Sequence, residues 1–292
     1  MYDIIIVGAG PAGLTAALYA GRANKKILVL EAKSYGGQII NANIVKNYPG
    51  LPNINGFDFA TNLYNQVVDL GVEIKYETVI RIEDDNTVIT NKDKYNSKSI
   101  ILATGSVNKK LNIENEDKFI GKGVSYCATC DGAFFKNQEV VVYGGDNTAL
   151  EDALYLSDIC STVYLINKEE KFDDNILLND IEKKSNIKVI TGKSIIELIG
   201  NDKLTGIKLD DDSTIDISCL FVIIGLSPKN DIFKNIIDID EKGYILSSDG
   251  VHTSKSKIYV AGDNRVKFLR QLVTACSDGA VAATTAIKEM SD

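Results

Sequence analysis

Histidine is almost absent from this sequence, which has one among 292 residues. Segments dense in lysine and arginine are also missing, and the net charge is −8. Because the phosphate backbone attracts clustered positive charge, this balance predicts that nucleic acid is not a partner. With 45% apolar and 25% charged residues, the sequence has the composition of a globular protein rather than a disordered one.

No signal peptide or membrane span is predicted, although the stretch from Ile4 to Gly21 is almost uncharged. A secretory signal carries a basic segment before its apolar region, and Asp3 stands there instead. Four glycines and one proline within the stretch also disfavour a helix that spans lipid. We therefore expect a cytoplasmic protein that is not bound to a membrane.

A disulfide framework of the kind found in small secreted proteins is not expected either. The five cysteines are odd in number, and only Cys127 and Cys130 lie close together in the sequence. In a reducing compartment, such a close pair is typical of a catalytic site or a metal site.

Linkers rich in glycine or proline are missing too, and the chain instead contains an internal repeat. One copy, IIIVGAGPAGLTAALYAGRANKKILVLEA, starts at residue 4, and the other, VVVYGGDNTALEDALYLSDICSTVYLINK, starts at residue 140. Gly8 and Glu31 in the first copy have the same spacing as Gly144 and Asn167 in the second. Each copy reads as a strand, a glycine turn, a helix and a second strand. This pattern predicts an α/β fold with two doubly wound, Rossmann-like domains of the nucleotide-binding type.

The second domain is predicted to be inserted in the first. Each copy of the repeat is followed by an apolar run that ends at a glycine, and a helix is predicted at 270–287. This order returns the chain to its first domain after the second is complete. We place the first domain at residues 1–112 and 244–292, and the second at residues 113–243.

The first glycine motif has the features of a dinucleotide-binding turn. Gly8 allows the tight turn, Gly10 lets the backbone approach a pyrophosphate, and Gly13 allows close packing of helix on strand. The pyrophosphate then lies at the positive end of the helix dipole. Glu31 can accept hydrogen bonds from ribose hydroxyls, so that FAD and NAD both fit.

Several further motifs occur in a fixed order along the chain. They are GGQ at 36–38, NYPG at 47–50, ATG at 103–105, CATCDG at 127–132 and AGDNRVKFLRQLVTA at 261–275. Together with the first glycine motif, they resemble the low-molecular-weight thioredoxin reductases over essentially the whole chain. The resemblance implies FAD as the cofactor, thioredoxin as a partner and assembly as a homodimer.

The resemblance also implies which residues hold FAD in the first domain. Asp263 would serve the ribitol or phosphate region, and Arg270 with Gln271 the flavin side. The full set of implied FAD-binding residues is Gly8, Gly10, Pro11, Ala12, Gly13, Glu31, Gly37, Gln38, Asn47, Thr104, Gly105, Gly262, Asp263, Arg270 and Gln271.

The close cysteine pair favours redox chemistry over zinc. Tetrahedral zinc needs about four ligands, and the sequence has neither a second closely spaced pair nor any histidine besides His252. Two thiols three residues apart at a helix start can close a short disulfide and lower each other's pKa. The other three cysteines lie in apolar stretches and are predicted to be buried: Cys160, Cys219 and Cys276.

The resemblance assigns roles to three residues of the CATCDG motif. Cys130 would face the flavin, Cys127 would attack the disulfide of thioredoxin, and Asp131 would be the acid or base that manages the dithiol protons.

The second glycine motif departs from the family. An NADPH site of the usual kind has glycine at the middle of the turn and a basic HRRxxxR cluster after the next strand. Here the turn carries Asp146, and the cluster is replaced by Asn167 and Lys168, with Glu169 and Asp173 in place of two arginines. Both changes work against a bound phosphate. The sequence therefore predicts a second domain that keeps its fold and has lost its usual nucleotide.

The pattern resembles one branch of the family, the flavin thioredoxin reductases that take electrons from reduced ferredoxin, and this resemblance implies reduced ferredoxin as the electron donor. A ferredoxin near −400 mV can reduce a thioredoxin near −270 mV, with roughly 130 mV to spare. Ferredoxins are generally acidic, so binding requires a local basic patch, for which the candidates are Lys109 with Lys110, or Arg265, Lys267 and Arg270; the alternative for each of them is an ordinary solvated surface cation. Three alternatives stay open: an NADH- or NADPH-dependent thioredoxin reductase with an atypical nucleotide site, a dithiol oxidase, and a flavin redox sensor.

Overall fold

The structure, a computed structural model, describes residues 1–42, 44–172, 175–247 and 250–290. Its strands are β1 (Tyr2–Val7), β2 (Ile27–Glu31), β3 (Glu73–Tyr76), β4 (Val79–Ile82), β5 (Thr87–Thr90), β6 (Lys94–Leu102), β7 (Ser106–Asn108), β8 (Val124–Ser125), β9 (Glu139–Tyr143), β10 (Thr162–Ile166), β11 (Ile187–Ile190), β12 (Ile195–Gly200), β13 (Leu204–Leu209), β14 (Thr214–Asp216), β15 (Cys219–Val222), β16 (Leu226–Pro228) and β17 (Ile258–Val260). Its α-helices are α1 (Pro11–Arg22), α2 (Gly56–Val68), α3 (Glu116–Phe119), α4 (Ala128–Asp131), α5 (Asn147–Ser157), α6 (Asn175–Glu182) and α7 (Leu272–Glu289).

The chain forms two compact units. Unit 1 comprises Met1–Val107 and Ser227–Asp292, and unit 2 comprises Asn108–Leu226. The sequence had placed residues 108–112 in the first domain and residues 227–243 in the second, whereas residues 108–112 lie in unit 2 and residues 227–243 in unit 1. For residues 227–243 the reason is packing, because Phe233 and Ile237 are buried in the core of unit 1 beside residues of its sheet.

Unit 1 is built on a seven-stranded sheet in the order β3-β2-β1-β6-β5-β4, with β17 also paired to β6. The pairs β1–β2, β1–β6, β2–β3 and β6–β17 are parallel, while β4 and β5 add an antiparallel edge. Val7, the last residue of β1, lies beside Leu30 of β2 and Leu102 of β6. This register gathers the segments that follow β1, β2 and β6 at one edge of the sheet.

Unit 2 repeats this arrangement around a five-stranded parallel sheet in the order β11-β10-β9-β15-β8. Tyr143, the last residue of β9, lies beside Ile166 of β10 and Val222 of β15. Gly144 and Asn167 therefore occupy the places that Gly8 and Glu31 have in unit 1. A separate antiparallel sheet, β12-β13-β14, completes the unit.

The central strands β1 and β9 contain continuous apolar runs, at 4–7 and 140–143, because both faces of these segments are covered. Ile4 and Ile6 of β1 pack in one core cluster, while Ile5 and Val7 pack in another on the opposite face. In β9, Val140 and Val142 likewise contribute to a different cluster from Val141 and Tyr143. Continuous apolar runs of this kind are typical of parallel strands between two layers.

Small residues let α7 pack closely against α1 in unit 1. A methyl group built on Gly279 would lie 2.1 Å from the carbonyl oxygen of Ala12, so this contact requires glycine. Ala282, Ala283 and Ala286 are fully buried on the same helix. Within the described ranges, none of the helices combines the length and apolarity that crossing a bilayer requires.

Candidate functional site

The first glycine motif forms a turn whose backbone a ligand can approach closely, because glycines line it. Gly8 has φ +109°, and a methyl group on it would lie 2.3 Å from the carbonyl oxygen of Ala103. Gly10 is the N-cap of α1, with Pro11 at the first helical position. A methyl group on Gly37, which has φ +61°, would lie 3.2 Å from Cα of Gly10. The start of α1 is thus lined by backbone, which suits a pyrophosphate at a helix N-terminus.

Glu31 is held beside this turn by two backbone amides. Its Oε2 accepts a hydrogen bond from the N–H of Ala9 at 2.8 Å, and its Oε1 accepts one from Lys33 at 2.9 Å. Each carboxylate oxygen can accept more than one hydrogen bond. Glu31 is therefore fixed in orientation and still has acceptor capacity for ribose hydroxyls.

Asp263 has an unsatisfied buried oxygen in this part of unit 1. Its Oδ1 is buried and has no hydrogen-bond partner among the described residues. Burial raises the pKa of Asp263, and the Asp278 carboxylate adds to the rise, while Lys267 and Arg270 oppose it. A buried acceptor without a partner is costly unless a ligand supplies a donor. Together with the glycine-lined turn, this oxygen fits a cofactor that carries hydroxyl groups, such as the ribityl chain of FAD.

The turn that carries Asp263 is anchored by Asp278 of α7. Oδ2 of Asp278 accepts a hydrogen bond at 3.0 Å from Gly262, which has φ +91°. The same carboxylate accepts bonds from Arg265 at 2.9 and 3.0 Å and from Lys267 at 2.7 Å. Their side chains are only 10%, 14% and 6% exposed, in the order Asp278, Arg265, Lys267. Asp278 therefore orders the turn through a buried ionic cluster.

We predict that Asp278→Asn lowers the free energy of unfolding by about 2 kcal/mol, because its hydrogen bonds to two buried cations lose their charge. Burial alone would raise the pKa of Asp278, but Arg265 and Lys267 outweigh burial and lower it. The stabilisation is therefore complete above the unfolded pKa of about 3.9 and is lost as the pH falls through the folded value. Urea unfolding of wild type and variant at neutral and acid pH measures this difference in the free energy of unfolding. Titration of the variant apoprotein with FAD should also show weaker binding than wild type.

A matched control is Asp84→Asn, which removes a carboxylate that pairs with Lys255 at 2.8 Å while its own side chain is 93% exposed. Such a pair contributes little to stability. Equal unfolding curves for Asp278→Asn and the control variant would refute the anchoring role.

The remaining residues implied for FAD also lie in unit 1. Nδ2 of Asn47 donates to Oε1 of Gln271 at 3.0 Å, which joins the NYPG segment to the N-cap of α7. The guanidinium of Arg270 lies 4.1 Å from the ring centre of Tyr244. Gln38 and Gly37 lie in a 3-10 helix. Ala12 and Gly13 are buried in α1, and Gly105 has φ +64°.

Thr104 belongs to a buried polar network that the sequence did not reveal. Its Oγ1 accepts a hydrogen bond from Asn264 at 3.0 Å and donates to Oδ1 of Asn230 at 3.1 Å. Asn230 in turn donates to the carbonyl of Asn264 at 2.7 Å. In the sequence, the signal for Asn230 and Asn264 was their position just after an apolar run. The signal for Asp278 was a charged residue within a helix of small residues.

The cysteine pair lies in unit 2, where Cys127 and Cys130 form a disulfide with Cα atoms 5.3 Å apart. Cys127 is the N-cap of α4, a single turn that contains Cys130 and ends at Asp131. Asp131 is partly buried, and burial raises its pKa while a hydrogen bond from Ser125 opposes the rise. The site therefore joins a redox-capable disulfide to a carboxyl group that titrates closer to neutrality than usual.

The other cysteines do not contribute to a second thiol site. Cys160, Cys219 and Cys276 are free and buried, as the sequence predicted. Burial raises the pKa of each thiol, which makes these residues poor nucleophiles.

The second glycine motif lines an open cleft in unit 2. The cleft has a volume of about 530 Å³ and lies at the ends of β9 and β10. A methyl group on Gly145 would lie 2.4 Å from the side chain of Asn167, so backbone and side chain meet closely there. The residues around it are Lys110, Leu111, Tyr143, Gly144, Gly145, Asp146, Asn167, Lys168, Glu169, Lys171, Ser194, Ile195, Ile223 and Ile224.

Asp146 occupies the helix terminus where a pyrophosphate would lie. It is the N-cap of α5, and its Oδ1 accepts a hydrogen bond from the N–H of Ala149 at 3.1 Å. Two more carboxyl groups lie on this helix, Glu151 and Asp152, and burial, followed by the charges of Glu151 and Asp146, raises the pKa of Asp152 to about 7. This arrangement disfavours a phosphate at the start of α5.

The side chain of Asn167 holds the loop after β10 through hydrogen bonds to the loop backbone. Asn167 is buried, accepts a hydrogen bond from the N–H of Glu169 at 3.1 Å and donates to the carbonyl of Lys171 at 2.8 Å. Lys168, Glu169 and Lys171 are exposed on this loop. Asp173, the second acidic replacement noted in the sequence, lies outside the described residues.

Two of the residues proposed for a basic docking patch, Arg265 and Lys267, lie in a buried ionic cluster, whereas Lys109 and Lys110 are exposed. Arg265 and Lys267 are buried against Asp278, and Lys110 is paired with Asp117. Arg270 donates to the carbonyls of Asp263 and Arg265. The prediction was wrong for Arg265 and Lys267, because the sequence does not show that Asp278 faces them.

Known proteins resemble the chain over nearly its whole length. The family model described as pyridine nucleotide-disulphide oxidoreductase matches residues 2–280. Thioredoxin reductase of Mycoplasma genitalium is 40% identical, covering 97% of this chain and 93% of the relative. Thioredoxin reductase of Bacillus subtilis is 37% identical, with the same coverage of both chains.

A solved structure shows the same architecture. The crystal structure of thioredoxin reductase from Streptococcus pyogenes MGAS5005 matches with a TM-score of 0.94 and 33% identity, covering 100% of this chain and 98% of the other. None of these comparisons supports the predicted ferredoxin-dependent branch, and they favour a pyridine nucleotide instead. The chain thus belongs to the thioredoxin reductase family of FAD-binding pyridine nucleotide-disulphide oxidoreductases.

Proposed function

We propose that this flavoprotein takes electrons from a reduced pyridine nucleotide and passes them to the Cys127–Cys130 disulfide and on to thioredoxin. The observation that carries the proposal is the open cleft of about 530 Å³ at the glycine turn of unit 2, in the position equivalent to the FAD turn of unit 1. Ligands of open α/β sheets bind at the carboxyl ends of the strands. The cleft therefore offers a place for a donor, although Asp146 weakens its affinity for phosphate.

FAD, when bound, supplies a carrier that can pass an electron pair to a disulfide. Gly8, Gly10 and Gly37 would hold its pyrophosphate by backbone, and Glu31 its ribose. Asp263 would accept a hydrogen bond from its hydroxyl-bearing chain. These assignments extend the sequence prediction with the geometry of unit 1.

The cysteines carry the reducing equivalents to the partner. Once the pair is reduced, the Cys127 thiolate attacks one sulfur of the thioredoxin disulfide, and the other thioredoxin sulfur leaves as a thiolate that takes up a proton. Cys130 then attacks Cys127, which restores the enzyme disulfide and releases the second thioredoxin sulfur. Asp131 is the group that holds and returns the protons.

Reduced ferredoxin remains a second candidate donor because of one observation. The carboxylate of Asp146 caps α5 at the site that a nucleotide pyrophosphate requires. The homodimer implied by the resemblance stays a prediction, as do the oxidase and sensor alternatives.

Anaerobic mixing distinguishes the donors. We expect NADH or NADPH to bleach the flavin absorbance of the oxidised holoenzyme at the rate of steady-state thioredoxin reduction. Bleaching by reduced ferredoxin at that rate, with neither nucleotide effective, would reverse the assignment. Oxygen consumption driven by a small dithiol, without thioredoxin reduction, would instead favour the oxidase.

A further inference from the structure

Ser125 lies at a junction between the disulfide and Asp131. It is the last residue of β8 and is buried, with 5% of its surface exposed. Its hydroxyl donates a hydrogen bond to Oδ2 of Asp131 at 2.7 Å and accepts one from the backbone N–H of Cys127 at 3.1 Å. One hydroxyl therefore touches both the acid and the backbone of the cysteine that is proposed to attack thioredoxin.

The surrounding backbone fixes this hydroxyl in place. β8 pairs in parallel with β15, with Ser125 beside Phe221. The N–H of Asp131 donates to the carbonyl of Cys127 at 3.1 Å, which closes the turn between them. Because Ser125 is part of the rigid sheet and Asp131 ends a short helical turn, the sheet sets the position of the carboxylate through the hydroxyl.

We propose that Ser125 is a positioning residue for proton transfer, whose hydroxyl holds the Asp131 carboxylate in place at the dithiol. This role rests on the function proposed above. It predicts that Ser125 acts through Asp131 and does not itself touch the reacting sulfur atoms.

The proton balance shows where the positioned acid is needed. The reduced enzyme carries two thiol protons, and thioredoxin leaves with two thiols. Asp131 takes the proton of the Cys127 thiol; when the Cys127 thiolate bonds to one thioredoxin sulfur, the S–S bond of thioredoxin breaks and its other sulfur takes that proton from Asp131. Asp131 then takes the proton of the Cys130 thiol, and it passes this proton to the second thioredoxin sulfur, which leaves as Cys130 bonds to Cys127. Two protons move from enzyme to product, and no other oxidant or reductant is required.

Among the described residues, the titratable groups that surround this carboxyl are few. The disulfide cysteines lie on the same turn, and the pKa of the Cys219 thiol of β15 is raised by burial and, to a smaller extent, by the charge of Asp131. Ser125 stabilises the ionised form of Asp131, because its hydroxyl donates to that form. Loss of the hydroxyl should therefore raise the pKa of Asp131 further.

A single-turnover exchange tests the role without any electron donor. Holoenzyme reduced by a small dithiol is freed of reagent anaerobically and mixed with oxidised thioredoxin, and free thiols are trapped by acid quench and alkylation. We expect Ser125→Ala to slow exchange about tenfold and to move the alkaline limb of its pH profile up by about one unit. Ser125→Thr, which keeps the hydroxyl, should restore both.

Matched variants separate positioning from general damage. Ser157→Ala removes another buried hydroxyl of unit 2, which donates to a backbone carbonyl at 2.6 Å, and it should leave rate and pH profile unchanged. In an Asp131→Asn background, Ser125→Ala should have no further effect on the pH profile. A pH profile of Ser125→Ala that superimposes on wild type, or an equal effect in the Asp131→Asn background, would overturn the proposal.

Two disulfide probes keep the outcome independent of the proposed acceptor. Hydroxyethyl disulfide releases an aliphatic thiolate that needs a proton, whereas Ellman's reagent releases an aromatic thiolate that leaves without one. Ser125→Ala should slow the first reaction and spare the second. Equal slowing of both would contradict the positioning role, while failure of wild-type enzyme with thioredoxin alone would contradict only the proposed function.

Discussion

Replacing Cys127 or Cys130 by serine should lower thioredoxin reduction on the order of 10⁴-fold or more, as expected when a nucleophile that acts in concert with a partner is removed. Serine is close to cysteine in size, and the loss follows from chemistry, because an alcohol forms no disulfide. Steady-state thioredoxin reduction with the donor identified by anaerobic mixing measures the effect. The flavin spectrum of each purified variant should stay that of bound FAD, since the residues proposed to hold the cofactor lie in unit 1.

The control for this prediction is Cys160→Ala. Cys160 is a free cysteine of the same unit, buried in the core with 5% of its surface exposed. Its replacement should cost about 1 kcal/mol of stability through a small cavity and leave the turnover rate unchanged. Thioredoxin reduction by Cys127→Ser near the wild-type rate would show that another group carries the reducing equivalents. The flavin of Cys127→Ser and of Cys130→Ser should still be reduced by the donor. This result would separate a loss of thiol–disulfide exchange from a loss of flavin reduction.

The parts of the fold that the sequence predicted are those specified by local patterns. Gly8 and Gly144 each follow a continuous apolar run and open a helix, and this arrangement has few structural interpretations. The fold of two doubly wound domains, the helix near the C-terminus and the burial of three cysteines followed from such patterns. The closeness of Cys127 and Cys130 is equally local, because they are three positions apart on one helical turn.

The parts that the sequence did not predict depend on contacts between distant segments. Asp278 lies on α7, and only the packing of that helix brings its carboxylate to Gly262 and Lys267. The same contact removes two cations from the surface, which is why Arg265 and Lys267 do not contribute to a docking patch as the sequence had suggested. Residues 227–243 joined unit 1 because Phe233 and Ile237 fill its core, and their spacing carried no sign of which sheet they would cover.

For the electron donor, the local features read from the sequence were correct, and a wider inference about the nucleotide was drawn from them. Asp146 does cap α5, as its position at the helix start implies, and the expected arginines are missing. The inference that the site had lost its nucleotide weighed only the added carboxylates and the missing arginines. The cleft stays open, and three lysines line it alongside the two acidic residues: Lys110, Lys168 and Lys171.

Asp146→Gly should tighten the binding of NADH and NADPH alike, by roughly ten- to a hundredfold for the recovery of one charge-assisted hydrogen bond. The substitution frees the N–H of Ala149 and removes a carboxylate from the place of the pyrophosphate. Its cost to the helix should be small, because glycine is nearly as good an N-cap as aspartate. Titration of the holoenzyme with each nucleotide, followed by calorimetry with the oxidised forms, gives the affinities.

Glu169→Arg should act differently, because only NADPH carries a 2′-phosphate. The variant should bind NADPH roughly ten- to a hundredfold more tightly and leave the affinity for NADH unchanged. The variant that combines Glu169→Arg with Asp146→Gly should gain affinity for NADPH on the order of 10²- to 10⁴-fold. Asp158→Gly is the control, since Asp158 lies at the opposite end of α5 and pairs with Lys184. Equal gains from Asp158→Gly and Asp146→Gly would assign the effect to net charge. Unchanged affinity in Asp146→Gly would mean that the pyrophosphate does not bind at the start of α5, and the cleft would then lose its role as the donor site.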